Sequence, residues 1–231
     1  MQDFHPEIES TSLAVAQRPV STRGFDVVVP IRSLGENHRE RIAEHLRSLD
    51  AQDRYFRFGF TASDDQILRY VDGLDFVHDE IFGIYNRKLT LIAMAHVAFS
   101  IDMQRHPAAE FGVSVLPKAR VRGYGARLFD RAVMHARNRG VQTMFVHALS
   151  ENAAMLKIAR HAGAHIVRDG AESEAHLRLP PATLNTQLAE IVEEHMAQTN
   201  YQFKVHAKQF QETVQRWQAV WSGGTTSKSA E

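Results

Sequence analysis

A glycine-bearing turn at residues 120–126 has the features of a phosphate-binding loop. Its sequence is Arg-Val-Arg-Gly-Tyr-Gly-Ala, and it joins a strand-like run at residues 110–116 to a helix-like segment. Such a turn directs free backbone N–H groups toward whatever lies in front of the helix, and the helix dipole favours an anion there. The chemistry that these residues predict is the binding of a pyrophosphate.

Two common phosphate-binding loops do not fit this turn. The nucleotide-triphosphate loop requires Gly-x-x-x-x-Gly-Lys-Ser/Thr, and the chain contains no such run. The dinucleotide fingerprint Gly-x-Gly-x-x-Gly/Ala fails because Leu128 stands where the third small residue is needed. The pattern that remains is Arg/Gln-x-x-Gly-x-Gly/Ala, which Arg120, Gly123 and Gly125 complete.

The residues after the turn predict alternating helices and strands. Apolar residues recur at helical spacing up to Gly140, and residues 143–148 form a short apolar run typical of a buried strand. An Asn-led helical segment, residues 151–163, follows, and residues 164–169 predict another strand. Strand, helix and strand in succession indicate a crossover unit. The apolar positions of the first helix are Leu128, Phe129, Ala132, Val133 and Ala136.

These two motifs, in this order and spacing, resemble the acyl-coenzyme A loop and the Asn-led helix of the GNAT N-acetyltransferase superfamily. The resemblance implies an α/β fold, one mixed β-sheet flanked by helices on both faces, over about residues 24–180. It is greatest to the protein-lysine acetyltransferase branch, which is found attached to acyl-CoA synthetases or regulatory domains. That likeness depends on residues 54–58 after the first helix, residues 109–111 at the start of the fourth strand and residues 151–156 on the last helix.

The resemblance implies a set of residues for acetyl-CoA, the co-substrate of this superfamily. The backbone of the fourth strand is expected to lie along the pantetheine arm, the loop N–H groups at the pyrophosphate, and Arg120 near the phosphates. Asn152 corresponds to the side chain that contacts the pantetheine or orders the last helix. The expected cofactor-binding residues are Val113, Ser114, Val115, Leu116, Arg120, Val121, Arg122, Gly123, Tyr124, Gly125, Ala126 and Asn152.

The resemblance also implies residues for the chemical step. Amine acylation needs an amine next to the thioester carbonyl, a route for its proton and donors for the oxyanion. Glu110 matches the glutamate that serves as general base in the lysine-acetylating branch; the alternative is a solvated carboxylate at a strand end. Many members use a tyrosine of the last helix as general acid, but residues 158–160 are Ile-Ala-Arg. Tyr85, Tyr124 and His147 are unranked candidates for that acid.

Three hypotheses about function follow. The first is an N-acyltransferase that transfers an acetyl group from acetyl-CoA to a primary amine, either a small molecule or a protein lysine. The second is a non-catalytic regulatory module of the same fold, which binds acyl-CoA and acts on a partner; Glu110 favours the enzyme. A structural adaptor ranks last because it leaves Arg120, Gly123 and Gly125 unexplained. The sequence leaves the acceptor open among protein lysine, polyamine, amino acid and antibiotic.

The overall composition argues against several classes of partner. The 231 residues include 27 Lys plus Arg and 27 Asp plus Glu, so the formal net charge is zero, and no basic block indicates nucleic acid. No apolar run reaches the roughly 18–20 residues of a membrane helix, and no signal pattern is present. Together with the absence of cysteine, this predicts a cytoplasmic protein. Gly163 separates the closest histidine pair, His161 and His165, so no metal site is expected.

Further elements must position these residues. Period-two and helical patterns outside the motifs predict them, with glycine, proline and polar residues marking their ends. In chain order we expect a flexible leader (1–23), a first strand (25–32), a first helix (36–50), a packed loop between helices (54–60), a second helix capped by Thr61 or Ser63, a hairpin of strands at 79–85 and 89–99, and, after the crossover units, a last strand at 176–179.

The pattern changes after Pro180-Pro181. Residues 181–221 have apolar residues near a helical period and predict a helical extension, whereas residues 222–231 predict a disordered tail. Because the stripe is too apolar to remain exposed, the extension either folds back on its own domain, which we favour, or binds a partner or forms a homodimer. The stripe consists of Leu184, Leu188, Ile191, Met196, Phe203, Phe210, Val214, Trp217 and Trp221.

Overall fold

One mixed β-sheet organises the described residues, which are 29–100, 102–195 and 197 of a computed structural model. Its strands are β1 (Arg32–Ser33), β2 (Glu80–Tyr85), β3 (Leu91–Phe99), β4 (Ala108–Val115), β5 (Thr143–Leu149), β6 (His165–Asp169) and β7 (Glu172–Arg178). They lie in the order β1-β2-β3-β4-β5-β7-β6. All neighbours run antiparallel except β4 and β5, which are parallel. The sheet confirms the predicted α/β class.

Helices cover both faces of this sheet. They are α1 (Arg39–Arg47), α2 (Ala51–Phe58), α3 (Asp64–Asp72), α4 (Tyr124–Asn138) and α5 (Ala153–His161). Apolar residues of α1 and α3 form one buried cluster with the sheet, and those of α4 and α5 form a second cluster on the opposite face. The predicted helices on both faces are therefore confirmed. None of the described helices is long and apolar enough to cross a bilayer.

The alternation of side chains along β2 shows how one sheet supports two cores. Phe82 and Ile84 belong to the cluster under α4 and α5, whereas Ile81 and Tyr85 belong to the cluster under α1 and α3. Successive strand residues point to opposite faces, so a strand covered on both sides is apolar at nearly every position. This explains the continuous apolar runs in the sequence of the central strands.

The predicted loop at residues 54–60 is wrong, because most of it belongs to helix α2. Asp50 caps this helix by accepting a hydrogen bond from the N–H of Asp53 at 2.8 Å. Gly59, with φ of +79°, ends it in the left-handed conformation that glycine adopts without strain. Aromatic and basic side chains alternate closely in this segment, so its sequence shows no clear helical period of apolar residues.

Other boundaries were predicted more closely. The first helix is shorter than residues 36–50, because a 3-10 turn at Glu36–His38 precedes α1. Ser63 is the cap of α3: its hydroxyl accepts from the N–H of Gln66, and its own N–H donates to Gln66 Oε1, which completes a capping box. The hairpin of β2 and β3 is confirmed. Residues 1–28, which include the leader and half of the predicted first strand, lie outside the described residues, and of the other half only Arg32 belongs to β1.

The last helical segment within the described residues, 184–195, lies against α4, and we call it α6. It docks through polar groups: Arg131 Nη2 donates to Glu194 Oε2 at 3.1 Å, and the Asn138 amide and the His135 ring contact the carboxylate of Glu190, each at 2.5 Å. In these residues the apolar stripe does not pack on the domain of its own chain, and Leu188 exposes 61% of its surface. The rest of the stripe, Met196 and residues 203–221, lies outside the described residues. The homodimer and the disordered tail stay predictions.

Arg131 is the residue of α4 whose substitution we expect to weaken the docking of α6 most. Its side chain is only 3% exposed and lies within 4 Å of carboxylates of Glu190, Glu193 and Glu194. We expect Arg131→Met to lower the free energy of unfolding by about 3 kcal/mol, because the carboxylates lose their buried counter-charge. Urea unfolding measures the loss. Arg105→Met is the matched control, since Arg105 pairs with Asp102 at the surface; equal losses in the two variants would contradict the prediction.

Candidate active site

The sheet opens between β4 and β5. β4 pairs with β3 from Ala109 to Val115, whereas its pairing with β5 covers only Ala108 to Glu110. Beyond Glu110 the two strands diverge, and the edge of β4 that faces β5 is no longer part of a hydrogen-bonded ladder. We call this opening the β4–β5 cleft.

Alternate backbone groups of β4 face this cleft. The N–H of Leu116 donates to the carbonyl of Ile92, and the carbonyl of Ala108 accepts from the N–H of Ser100, each at 2.9 Å. Even-numbered residues of the strand therefore direct their N–H and C=O groups toward β3, because both groups of a residue lie on one side of an antiparallel strand. The residues whose main-chain groups face the cleft are Phe111, Val113 and Val115.

A cavity of about 560 Å³ extends from this cleft to the start of α4, and we call it the loop cavity. Its walls are β4, the glycine turn, the start of α5 and one side of α2. The structure brings all of the predicted cofactor-binding residues into its lining except Leu116 and Arg122. Leu116 lines a separate pocket beside His45, and the side chain of Arg122 is exposed on the turn.

The glycine turn leaves backbone donors free at the start of α4. The first intrahelical bond runs from the N–H of Arg127 to the carbonyl of Gly123 at 3.0 Å, so the N–H groups of residues 124–126 have no intrahelical acceptor. Gly123 has φ of +73° and, as the N-cap, carries no side chain that could accept from them. Val121 also has positive φ, at +62°, which is strained for a β-branched residue. The turn is thus shaped to receive an anion.

Two polar residues of the loop cavity already have protein partners. Arg120 forms an ion pair with Asp53 of α2, and its Nε donates to the carbonyl of Val115 at 3.3 Å. Asn152 caps α5 by accepting a hydrogen bond from the N–H of Met155 at 3.1 Å. Of the two functions that the resemblance allows for Asn152, this contact supports the ordering of the last helix.

A second cavity, of about 590 Å³, lies on the other side of Glu110, and we call it the acidic cavity. It follows the face of β5, β7 and β6 that α1–α3 leave open. Glu110 is exposed at its wall, and His147 lies 3.8 Å from the carboxylate of Glu174. The carboxylates that line it are Glu110, Asp169, Glu172 and Glu174. Four carboxylates against one arginine, Arg57, make this cavity suitable for a cation.

The two cavities meet at α2. Phe56 and Arg57 line both of them. The sequence pattern placed these residues in a loop and gave them no chemical function, although the likeness to the lysine-acetylating branch included them. That likeness was the one signal that could have indicated Arg57.

The candidates for a general acid differ in position. Tyr85 is buried in the core under α1 and α3 and lines neither cavity. Tyr124 lines the loop cavity at the first residue of α4, and His147 lines the acidic cavity. The geometry therefore favours Tyr124 and His147 over Tyr85 for contact with a reacting group.

Ser114 directs its hydroxyl away from the cleft, into a buried pair with His45. The Nδ1–H of His45 donates to the carbonyl of Leu91 at 2.9 Å, and its Nε2 lies 2.8 Å from the Ser114 hydroxyl. Burial lowers the pKa of His45 to about 4, so the ring is neutral near pH 7. With Nδ1 protonated, Nε2 accepts the hydroxyl proton of Ser114. The pair joins α1 to β4 under the cleft.

We expect this histidine to make stability depend on pH. An unfolded histidine has its ordinary pKa of 6.5, whereas folded His45 has a pKa of about 4, so the unfolded state binds the extra proton first. Stability should be fully present above pH 6.5 and fall by about 3 kcal/mol as the pH drops to about 4.

Urea unfolding at a series of pH values measures this change. The pKa values of His38 and His96 are also lowered by burial, so the quantity of interest is the difference between the parent and His45→Gln. The variant should lose a large part of the slope between pH 6.5 and 4. Identical slopes in both proteins would contradict the assignment to His45.

Comparison with known proteins identifies the family. The acetyltransferase (GNAT) family matches residues 43–164, which is more than half of the chain and includes β4, the glycine turn and α5. The protein therefore belongs to the GNAT acetyltransferase family. No curated protein sequence matches it.

Solved structures show the same fold at low sequence identity. The GNAT domain of S. lividans PAT is 19% identical, with a TM-score of 0.55 over 64% of this chain and 89% of that one. A GNAT-family acetyltransferase from Staphylococcus aureus Mu50 is 12% identical, with a TM-score of 0.53 over 66% and 99% of the two chains. An N-acetyltransferase from the same strain is 15% identical, with a TM-score of 0.53 over 65% and 98%.

Proposed function

We propose that this protein is an acetyl-CoA-dependent N-acetyltransferase that acts on a cationic primary amine. The observation that carries the proposal is the meeting of two unlike cavities where α2 lies against β4. One ends at the free N–H groups of the glycine turn, and the other is lined by carboxylates, with Glu110 in its wall. Membership of the GNAT family supports N-acetyltransferase activity in general terms.

The groups that line the loop cavity match the chemistry of acetyl-CoA. The pyrophosphate would accept hydrogen bonds from the N–H groups of residues 124–126. The amide groups of the pantetheine would pair with the free edge of β4 at Val113 and Val115, as an added strand does. The acetyl group would then lie beside Glu110, where β4 and β5 begin to separate.

The transfer is an acyl substitution with a simple balance of bonds. The amine nitrogen attacks the thioester carbon, a C–N bond forms, and the C–S bond breaks to release coenzyme A. Glu110 first takes one proton from the ammonium group, directly or through one water, and this frees the nitrogen lone pair for the attack. The second proton leaves the nitrogen after the C–N bond has formed and replaces the proton that an acid gives to the leaving thiolate. The leaving thiolate takes a proton from an acid, for which Tyr124 and His147 are the candidates that line the cavities.

The acceptor is proposed to be a protein lysine rather than a small amine. The acidic cavity lies on an open sheet face, and β6 at the sheet edge exposes His165, Val167 and Asp169. An open, acidic face can receive a lysine that projects from a protein surface, whereas a small amine gains most from an enclosed pocket. The fold neighbour from S. lividans belongs to a PAT protein, which is consistent with this choice.

Isotope-labelled acetyl-CoA tests the proposal. The protein is incubated with the labelled compound and a panel of amines that includes polyamines, amino acids and lysine-containing proteins, and mass spectrometry locates the label. Label on lysine side chains would support the full proposal. Label on a small amine alone would mean that the acceptor is that amine and not a protein lysine. Binding of acetyl-CoA without transfer to any amine would favour the non-catalytic regulatory module.

A further inference from the structure

Arg57 lies against the backbone of β4 where the two cavities meet. A Cβ atom placed on Gly112 would lie 2.9 Å from both Cζ and Nη1 of Arg57. That distance is shorter than a van der Waals contact, so the absence of a side chain at Gly112 allows the guanidinium to lie across the strand. Glu110 is two residues earlier and on the same face of β4. The guanidinium therefore lies close to the proposed base.

A chain of hydrogen bonds fixes the guanidinium in this position. Nη2 of Arg57 donates to the hydroxyl oxygen of Tyr70 at 2.7 Å. Since arginine can only donate, the Tyr70 hydroxyl gives its own proton to Nδ1 of His96 at 2.8 Å. His96 then carries its proton on Nε2 and donates it to Asp79 at 3.0 Å. Each bond in the chain has one allowed direction.

The surroundings keep this chain rigid and His96 neutral. Burial lowers the pKa of His96, as the tautomer in the chain requires. Asp79 also accepts the backbone N–H of Phe99 at 3.1 Å, which ties the end of the chain to β3. Arg57 comes from α2, Tyr70 from α3, His96 from β3 and Asp79 from the segment just before β2.

The charge of Arg57 has aromatic rings and a hydroxyl around it rather than a carboxylate. Its Cζ lies 5.2 Å from the ring centroid of Phe58 and 5.3 Å from that of Tyr70. Within the described part of the chain, no carboxylate oxygen lies within the 4.0 Å of an ion pair, and its Nε is buried without a hydrogen-bond partner. A positive charge held in this way is available to an anion that forms at the junction.

We propose that Arg57 is a catalytic residue that stabilises the oxyanion of the acetyl transfer, with Tyr70, His96 and Asp79 as the residues that position it. The inference rests on the proposed function. When the amine attacks, the carbonyl π electrons move to the thioester oxygen, and the guanidinium binds that negative charge until the C–S bond breaks. Arginine stays protonated throughout, so the amine proton still goes to Glu110.

Steady-state kinetics of four variants test the inference. Arg57→Gln should lower kcat by roughly 10²- to 10³-fold, the range for loss of one oxyanion donor, while the KM for acetyl-CoA changes little. Gly112→Ala should also lower kcat, because the added Cβ displaces the guanidinium without removing its charge. Tyr70→Phe should give a smaller loss of kcat. Guanidinium ion added to Arg57→Ala should restore part of the lost turnover.

Arg54→Gln is the matched control on the same helix. Arg54 donates to the backbone carbonyls of Leu49, Ala62 and Arg47 and lines neither cavity, so its loss should lower the melting temperature and leave kcat nearly unchanged. If the parent is active and both Arg57→Gln and Gly112→Ala keep the parent's kcat, the inference is overturned, whereas the proposed function still holds. A parent that transfers acetyl to no amine would refute the proposed function and this inference with it.

Discussion

Replacing Gly123 by valine is expected to abolish measurable coenzyme A binding in a protein that remains folded. Gly123 is the N-cap of α4, and a Cβ at this position would meet no protein atom within 4 Å. The valine would therefore not disturb the core; it would project into the space in front of the free N–H groups of residues 124–126. Loss of two charge-assisted hydrogen bonds to the pyrophosphate corresponds to about 10²-fold or more in affinity.

Gly140→Val is the control for backbone strain. Gly140 follows the other end of α4, has φ of +82°, and likewise has no atom within 4 Å of an added Cβ. Both variants force a branched residue into the left-handed region, which costs about 1–2 kcal/mol. Calorimetric titration with coenzyme A should separate them, because only Gly123→Val obstructs the anion site. Retained affinity in folded Gly123→Val would refute the phosphate-loop assignment.

The loop cavity was predictable because its determinants are local in the chain. β4, the glycine turn and α4 are consecutive, and the conformations of Gly123 and of the helix start depend on residues within one turn. The crossover to β5 and the helix that begins after Asn152 follow in the same order as in the GNAT superfamily, which the sequence resembles. Short spacing therefore brought ten of the predicted cofactor-binding residues into one cavity.

The junction at Arg57 was not predictable from periodicity. Its hydrogen-bonded chain joins Arg57, Tyr70, His96 and Asp79, which belong to four separate parts of the chain. No sequence spacing encodes such contacts, since they depend on how α2 and α3 pack over the hairpin. The requirement for glycine at position 112 is likewise visible only in the structure, where the guanidinium of Arg57 lies against this residue.

The docking of α6 shows a different limit of the hydrophobic pattern. Its apolar spacing favoured packing of the stripe on its own domain, yet Leu184 is 78% exposed and the helix contacts α4 through Glu190 and Glu194. The buried partner is Arg131, a residue type that is rarely buried unless it is paired. A pattern of apolar positions cannot identify an interface made by ion pairs. Long charged side chains are normally expected at the surface, so their positions do not indicate a contact.

Glu110→Gln is expected to reduce acetyl transfer by roughly 10²- to 10⁴-fold, the usual contribution of a general base. Glutamine preserves the size of the side chain on β4 but cannot accept the amine proton. Acetyl-CoA affinity should change little, because Glu110 lines the acidic cavity and not the loop cavity. Single-turnover kinetics measure the chemical step, and calorimetry measures binding. A rate profile displaced to higher pH in the variant would further support a lost base.

Glu172→Gln separates base catalysis from simple attraction of a cation. Glu172 lines the same cavity as Glu110 but lies on β7, where it pairs in register with Leu149 and Asp169. Its substitution removes the same charge from the cavity, so it should raise the KM for a cationic acceptor and leave kcat nearly unchanged. If both variants lose kcat equally, or if neither does while chemistry limits the rate, Glu110 is only one of several cavity carboxylates. A loss of kcat confined to Glu110→Gln would instead assign the proton transfer to this one residue, at the point where β4 leaves β5.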